Sequence, residues 1–432
     1  MKIIPKIWKN TPEDQKAKIL RRSEEDIGSV EQTVSEVIYQ VRTRGDAALK
    51  EYTLKFDKAD LTQKPLLVSE SEYEDAQRKL TPEVKEALEY SIANVKKFHS
   101  LQVREEMPFL EIRPGLLAGE RTTPIDSVGL YVPRGRGSFP SMAYMLAVPA
   151  ALAGVKRIVM VSPPNSDGTI DPACLYTARL CGVHEFYKVG GAQAIAALAY
   201  GTQSIAPVVK LTGPGSMYVT AAKRLVYSVV DVGLPAGPSE SAVLADDSAD
   251  PWKTALDLLV ESEHGSDSCA LLVTPSKNLA DQVARYLEKE IESLDEPRRT
   301  FVQDVFSGYG AIILVDSLEE GAELLNDFAP EHLSLQTKDP WETLSLIRNA
   351  GEILLGQDLP FSAANYSTGP NAVLPTGGRA KTFGPVSVPD FQKTSSVIFA
   401  SPAGYKSFEK SVTVLAEYEG FITHGNALKK RK

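Results

Sequence analysis

Two short stretches of the chain set acidic and imidazole side chains close enough to act together. In LDLLVESEHG, Glu261 and His264 stand three residues apart, a spacing that puts both on one helix face and lets them share a metal ion. Glu263 points elsewhere. An ordinary surface helix would produce the same pair, so the spacing alone leaves both readings open. In Pro330-Glu331-His332-Leu333 a carboxylate and an imidazole are adjacent, in a short turn between a helix and a strand. An imidazole titrating near neutrality beside a carboxylate suits proton transfer in two different steps. A capped turn with two polar side chains is the plainer alternative. The chain has five histidines, and two more of them read as structural. His184-Glu185 is followed by Phe-Tyr-Lys rather than the second histidine of a helical zinc hydrolase, and His99 ends an apolar helical stripe.

Glycine turns after strands are the other candidate chemistry. Gly135-Arg136-Gly137 follows VGLYV, with Pro140 where the third glycine of G-x-G-x-x-G would stand. Gly213-Pro214-Gly215 follows PVVKL, with Tyr218 in that place, and Gly190-Gly191 follows EFYKV ahead of Gln193. Each could aim backbone N–H groups at an anion, although tight strand-to-helix turns need glycine anyway. No G-K-[ST] is present, so nucleotide triphosphate hydrolysis has no support.

The elements that must position these residues alternate in type. VGLYV, RIVMV, EFYKV, PVVKL and SAVLA are each followed by Gly/Pro punctuation and an Ala-rich helix. CALLVT, a helix from Lys277 to Leu294, AIILV, LEEGAELL and EILLG repeat the pattern. Such alternation predicts an α/β fold of parallel sheets with helical crossovers. The first hundred residues read as helical. Ser29 with Gln32 offers a capping box ahead of VEQTVSEVIYQVRTR, and Gly45 stands at a C-cap position. Thr81-Pro82 opens a helix on which Val84, Leu88, Ile92, Val95 and Phe98 recur at helical spacing. From Asn365, Gly and Pro accumulate in what reads as a compact functional loop, and VTVLAEYEGFITHGNALKKRK reads as one short helix with a solvated basic tail.

Composition bounds the rest. The 432 residues carry 47 Lys+Arg against 56 Asp+Glu, so the formal charge is 47 − 56 = −9, which argues against a general nucleic-acid binder. With 43% hydrophobic and 24% charged residues the balance is that of a globular protein, long enough for about two to four domains. A bilayer crossing needs roughly 20 apolar residues in a row. The longest weakly polar stretch, Met142 to Val155, contains Pro149 and Gly154 and reads as a buried helix. The N-terminus lacks an apolar h-region, so a cytoplasmic protein is expected. Cys174, Cys181 and Cys269 are too few and odd in number for a disulfide framework. They read as buried small hydrophobes.

GLYVPRG, VGGAQAIAALAYGT, KLTGPGSMYVTAAKR, PAGPSES, ESEHG, APEHL, ANYSTGPNAVLPT and EGFITHGNAL occur in the order, and at intervals similar to those, of histidinol dehydrogenases. From about residue 110 to its end the chain resembles that family. The resemblance implies a homodimer of intertwined subunits with two Rossmann-like domains, here residues 109–240 and 241–376. A helical N-terminal region, 1–108, precedes them, and a C-terminal segment with a dimer-contacting tail, 377–432, follows. It implies one zinc per subunit and two molecules of NAD, which take the primary alcohol of L-histidinol through an aldehyde to a carboxylate. By position, Glu261, His264, Asn365 and His424 match the metal ligands, with His424 supplied by the partner subunit. Glu331 and His332 match the catalytic pair. Ser239 and Glu419 match substrate contacts, together with Glu261, His264, His332, Asn365 and His424, while Tyr131, Gln193 and Ser216 match NAD contacts. His332 would accept the hydroxyl proton and Glu331 would activate water for attack on the aldehyde.

Four positions depart from the family pattern. Glu261 replaces the usual Gln and Asn365 the usual Asp, changes that offset each other in formal charge; zinc accepts carboxylate oxygen readily. Ser216 stands where the family has Asn. Ala372 stands where T-N-H-V-L-P-T has its histidine, and losing that polar group should weaken a site built around an imidazole and an amine. A diverged paralogue acting on another small amino alcohol or diol, such as a sulfopropanediol, is therefore an alternative to histidinol. A non-catalytic zinc-binding dimer and a zinc hydrolase are further ones.

Overall fold

The computed structural model describes residues 1–21, 27–104, 107–134 and 137–431. Gly135 and Arg136 of the first glycine turn lie outside the described residues. In chain order the strands are β1 (Lys6–Ile7), β2 (Phe109–Arg113), β3 (Leu116–Pro124), β4 (Ser127–Tyr131), β5 (Arg157–Ser162), β6 (Glu185–Lys188), β7 (Lys210–Thr212), β8 (Glu240–Ala245), β9 (Cys269–Thr274), β10 (Ala311–Leu314), β11 (His332–Gln336), β12 (Glu352–Leu355) and β13 (Gln392–Ala400).

Two sheets are wholly parallel, as the alternating pattern predicts. One has the order β6-β5-β4-β7 and the other β1-β10-β9-β8-β11-β12. Strands β4, β8, β9 and β11 are buried at every residue, as continuous apolar runs must be when helices cover both faces of a parallel sheet. The helix Pro140–Leu152 is almost entirely buried despite Pro149 within it, in agreement with its reading from sequence. Among the described residues no helix is long and apolar enough to cross a membrane. The three cysteines are buried and form no disulfide, and burial pushes the Cys174 and Cys181 thiols up to about 12.

The N-terminal region is mainly helical and divides between the sheets: β1 and Ile19 join the second sheet, while the helices from Ile27 dock on the first. Its helix Ile27–Arg44 packs against the crossover helices Gly191–Tyr200 and Met217–Val226, and Lys188 N–H donates to Leu66 O at 2.8 Å. Thr81 caps the helix Pro82–Ser100, in which Leu88 and Val95 are buried while Val84 and Phe98 stay exposed. His99 is fully buried with Nδ1 2.8 Å from the Gln102 side chain, a structural role. Gly45 follows Arg44 with φ of 57°.

Four sequence expectations need correction. Ser29 is not a cap, because the helix already runs at Ile27. β7 starts at Lys210 and not at Pro207. β2 and β3, assigned above to the first Rossmann-like segment, pair antiparallel with β13 in a third sheet, β13-β3-β2. The tail holds two helices, Pro402–Tyr418 and Ile422–Lys429, rather than one. β1 was also missed; two residues of edge strand leave no periodic signal.

Candidate active site

The helix Pro251–Ser262 starts at Asp250, whose carboxylate accepts from the N–H groups of Trp252 and Lys253, with Pro251 in the first turn. It crosses the second sheet and delivers Glu261, only 1% exposed, in its last turn. The two do not share a helix face as the spacing predicts, because the helix ends at Ser262; the turn that follows, closed by the His264 N–H on Glu261 O, still brings His264 Nδ1 to 3.1 Å from Glu261 Oε2. Ser239 Oγ is 2.9 Å from the same nitrogen. Asn365, on the short helix Phe361–Tyr366, donates from Nδ2 to Glu261 Oε1 at 2.7 Å.

A strained turn places the catalytic candidates. The helix Leu318–Phe328 ends at Ala329 in the left-handed conformation, φ 49°, which costs an alanine about 1–2 kcal/mol. Pro330 then prevents continuation, and the chain turns directly into Glu331 and the first residue of β11, His332. His332 Nε2 lies 3.7 Å from Glu331 Oε1 and 4.0 Å from Glu261 Oε1. Its Nδ1 is 2.6 Å from Glu352 Oε1 on β12, the residue directly across the parallel register. Glu331 Oε2 accepts from the Glu240 N–H at 2.9 Å, and Glu240 Oε1 in turn accepts from Gly377 N–H at 2.8 Å.

Glu352 and Glu240 were not singled out from sequence. The available signal was weak: each is a lone acid opening a mostly apolar strand, buried in β8 and half-buried in β12. Ser239, Glu261, His264, Glu331, His332 and Asn365 do come together. They gather at the amino ends of β8, β11 and β12, not at the carboxyl ends where open α/β sheets usually bind ligands.

The charges here are strongly coupled. Burial raises the Glu261 carboxyl, but His332, His264 and the Asn365 amide outweigh it and hold it well below the usual carboxylate range. Burial lowers His332, yet Glu261, Glu331 and Glu352 dominate and raise it well above an ordinary imidazole. His264 is also raised, Glu261 overcoming burial. Glu331 is driven far up by burial, with Glu261 and Glu240 adding to the shift and His332 opposing it.

The remaining candidates fall in two other places. Tyr131, Gln193 and Ser216 belong to the carboxyl edge of the first sheet. Tyr131 ends β4, and its hydroxyl accepts from Gly191 N–H at 3.1 Å. Gln193 is buried, with its Oε1 beside Gly191, whose φ of +63° demands glycine. Gly213, φ +119°, passes so close to the Tyr131 carbonyl that a Cβ would overlap it. Lys223 Nζ donates to Gly213 O and holds this turn from beneath. Ser216 is exposed at the N-cap of Met217–Val226, where its side chain makes no capping bond. β4 lies between β5 and β7, so the strand order reverses there, the usual crevice for a dinucleotide. Glu419 and His424, by contrast, are exposed on the C-terminal helices. The His424 ring rests on Phe421, 5.1 Å between centroids, and no hydrogen bond among the described residues joins it to the Glu261 cluster.

The histidinol dehydrogenase family model matches residues 20–432. The chain belongs to the histidinol dehydrogenase family. It is 50% identical over 422 residues to the histidinol dehydrogenase of Synechocystis sp., covering 98% of this chain and 97% of that one. It is 47% identical over 416 residues to a histidinol dehydrogenase homolog of Colwellia psychrerythraea, covering 96% and 93%. The crystal structure of histidinol dehydrogenase from Elizabethkingia anophelis superposes with a TM-score of 0.93 at 34% identity, covering 98% of this chain and 96% of that one. Membership of the histidinol dehydrogenase family makes the chain an oxidoreductase of α/β architecture. The resemblance read from the motif blocks is correct.

Proposed function

We propose that the chain is a zinc- and NAD-linked dehydrogenase that oxidises a small primary alcohol through an aldehyde to a carboxylate. The observation that carries this reading is the convergence of the Glu331-His332 pair with Glu261, His264 and Asn365 in one buried cluster. Their donor set, a carboxylate, an imidazole and an amide, fits a divalent cation of the zinc type, and the surrounding carboxylates add a field that favours one. Bound there, zinc would supply a Lewis acid for the alcohol oxygen and positive charge offsetting the carboxylates that keep a proton on His332. NAD fits the first sheet's edge, where Gln193 Nε2 is buried without a partner, and would accept the hydride in each oxidation.

The chain's own residues supply the proton transfers. His332 takes the hydroxyl proton at Nε2, because Nδ1 is engaged by Glu352, which fixes the ring. Glu331, whose burial gives its carboxylate an enhanced affinity for a proton, deprotonates the water that adds to the aldehyde.

Histidinol and a non-histidinol diol such as a sulfopropanediol compete as substrates. Position 372 favours the second: Ala372 packs against the apolar cluster around Val373, Val386 and Phe391 and offers the pocket no donor. The test is NADH formation by zinc-loaded protein with histidinol and a panel of small diols and amino alcohols. Two NADH per alcohol are expected, with a diol the better substrate. NADH from none of them overturns the dehydrogenase, and histidinol as the best substrate overturns the altered specificity. We place the enzyme in the cytoplasm, a reading supported by three buried cysteines that form no disulfide.

We also propose a homodimer that completes the site. The C-terminal helices pack against β13 and each other. They and the third sheet leave Leu110, Ile398, Leu415, Ile422 and, at 89%, Tyr418 exposed, a patch of the kind that marks an interface. His424 and Glu419 ride on the same arm, so a second copy covering it would bring them to its partner's cluster. Tyr418→Asp with Ile422→Asp is expected to give a monomer in light scattering and to weaken zinc binding. A double variant that remains dimeric with undiminished zinc affinity would rule this out.

A further inference from the structure

Among the described residues the N-terminal region contains one π-helical turn, Thr53–Asp57, a feature frequent at functional sites. Lys58 closes it with φ of 61°, and a non-glycine residue in that conformation persists only when its surroundings enforce it, at about 1–3 kcal/mol. The turn presents Asp57 with its Oδ2 buried and without a partner. A buried, unpaired carboxylate oxygen destabilises the free chain. Burial pushes the carboxyl up to about 6, with Arg134 opposing. Arg134 does not pair with it, since its guanidinium donates to Pro164 O at 3.1 Å.

The helix that runs into this turn, Asp46–Tyr52, packs on Gly191–Tyr200, and Tyr52 shares one apolar cluster with Tyr131, Val189 and Ala192; Asp57 is near enough to Tyr131 for its charge to raise the phenol further. Tyr131 is bonded to Gly191, and Gln193 curls back on Gly191 with Nε2 unpaired. An unpaired buried acceptor and an unpaired buried donor therefore flank one glycine turn at the carboxyl edge of β4 and β6. A sugar diol, whose hydroxyls donate and accept, completes both.

Which sugar follows from the sheets. The nicotinamide must reach His332 at the second sheet, which leaves the adenosine end for the first. In dinucleotide folds an acid after the second strand of the unit takes the adenosine ribose. Here β5 ends at Ser162 and continues Pro163-Pro164-Asn165-Ser166-Asp167, and the one acid, Asp167, is engaged within its own turn by the Thr169 N–H and hydroxyl. We propose that Asp57, from outside the βαβ unit, fills that role: its carboxylate accepts the adenosine 2′-hydroxyl of NAD and repels a 2′-phosphate. This rests on the NAD-linked reading above.

The test is calorimetric binding of NAD and of NADP to the intact zinc-loaded protein without alcohol. Asp57→Asn is expected to weaken NAD about tenfold and to tighten NADP, with no fall in melting temperature because the unpaired charge is gone. Asp57→Glu, which keeps the charge but shifts it by one methylene, is expected to weaken NAD without admitting NADP. Unchanged NAD-over-NADP selectivity in Asp57→Asn overturns the assignment, as does a lowered melting temperature with both affinities falling together. A wild-type chain that binds neither dinucleotide overturns the NAD-linked function itself, whereas an unaltered variant overturns only the role of Asp57.

Discussion

Replacing His332 by Asn is expected to lower kcat by about 10²–10⁴, the range for loss of a positioned general base, while NAD still binds with wild-type affinity. The reason is geometric. His332 is the one imidazole whose Nε2 stands between Glu331 and Glu261 while Nδ1 is engaged by Glu352, and an amide keeps a polar group there without accepting a proton. Glu331→Gln should behave differently, because in the proposed mechanism its partner is the water of the second oxidation. The expected stoichiometry drops from two NADH per alcohol towards one, with aldehyde trapped by a hydrazine reagent. Steady-state kinetics and product analysis of both variants decide the matter. A His332→Asn enzyme within tenfold of wild type would remove His332 from the chemistry.

Zinc affinity should fall steeply in Glu261→Ala, by more than the ~10–100-fold that loss of an outer hydrogen-bond partner costs a metal site. Glu261 is the residue the cluster is built around: His264, His332 and Asn365 all face its carboxylate, which is itself buried. Removing it takes the one carboxylate out of the proposed ligand set and deprives His264 of its 3.1 Å partner. The exchange Glu261→Gln with Asn365→Asp, which restores the family's usual pair, keeps the formal charge and is expected to hold zinc within tenfold of wild type. Competition with a chromogenic chelator and elemental analysis measure both. Wild-type zinc affinity in Glu261→Ala would mean that the metal is held elsewhere.

Much of the architecture is legible because it is local. Apolar runs such as VGLYV and CALLVT became β4 and β9 as read, since a strand covered on both faces has no alternative but to be continuously apolar. Glu261 and His264 meet because they are three residues apart, close enough for the turn that ends the helix at Ser262 to bring them together. The third sheet was not legible, since β2, β3 and β13 are exposed or half-buried strands lacking an apolar face, and two of them are paired with a segment far along the chain. Ser29 failed as a cap because the helix had begun before it.

The sequence by itself determined the family and the parallel α/β grain and pointed to Glu331-His332 as the candidate catalytic pair, because each is written in contiguous residues. Only the tertiary structure decided that Glu352 orients His332, that Glu240 backs Glu331, and that the cluster sits at the amino ends of the second sheet's strands. These depend on which strand lies beside which and in what register, a choice settled by long-range burial and backbone pairing that leaves no periodicity in the chain.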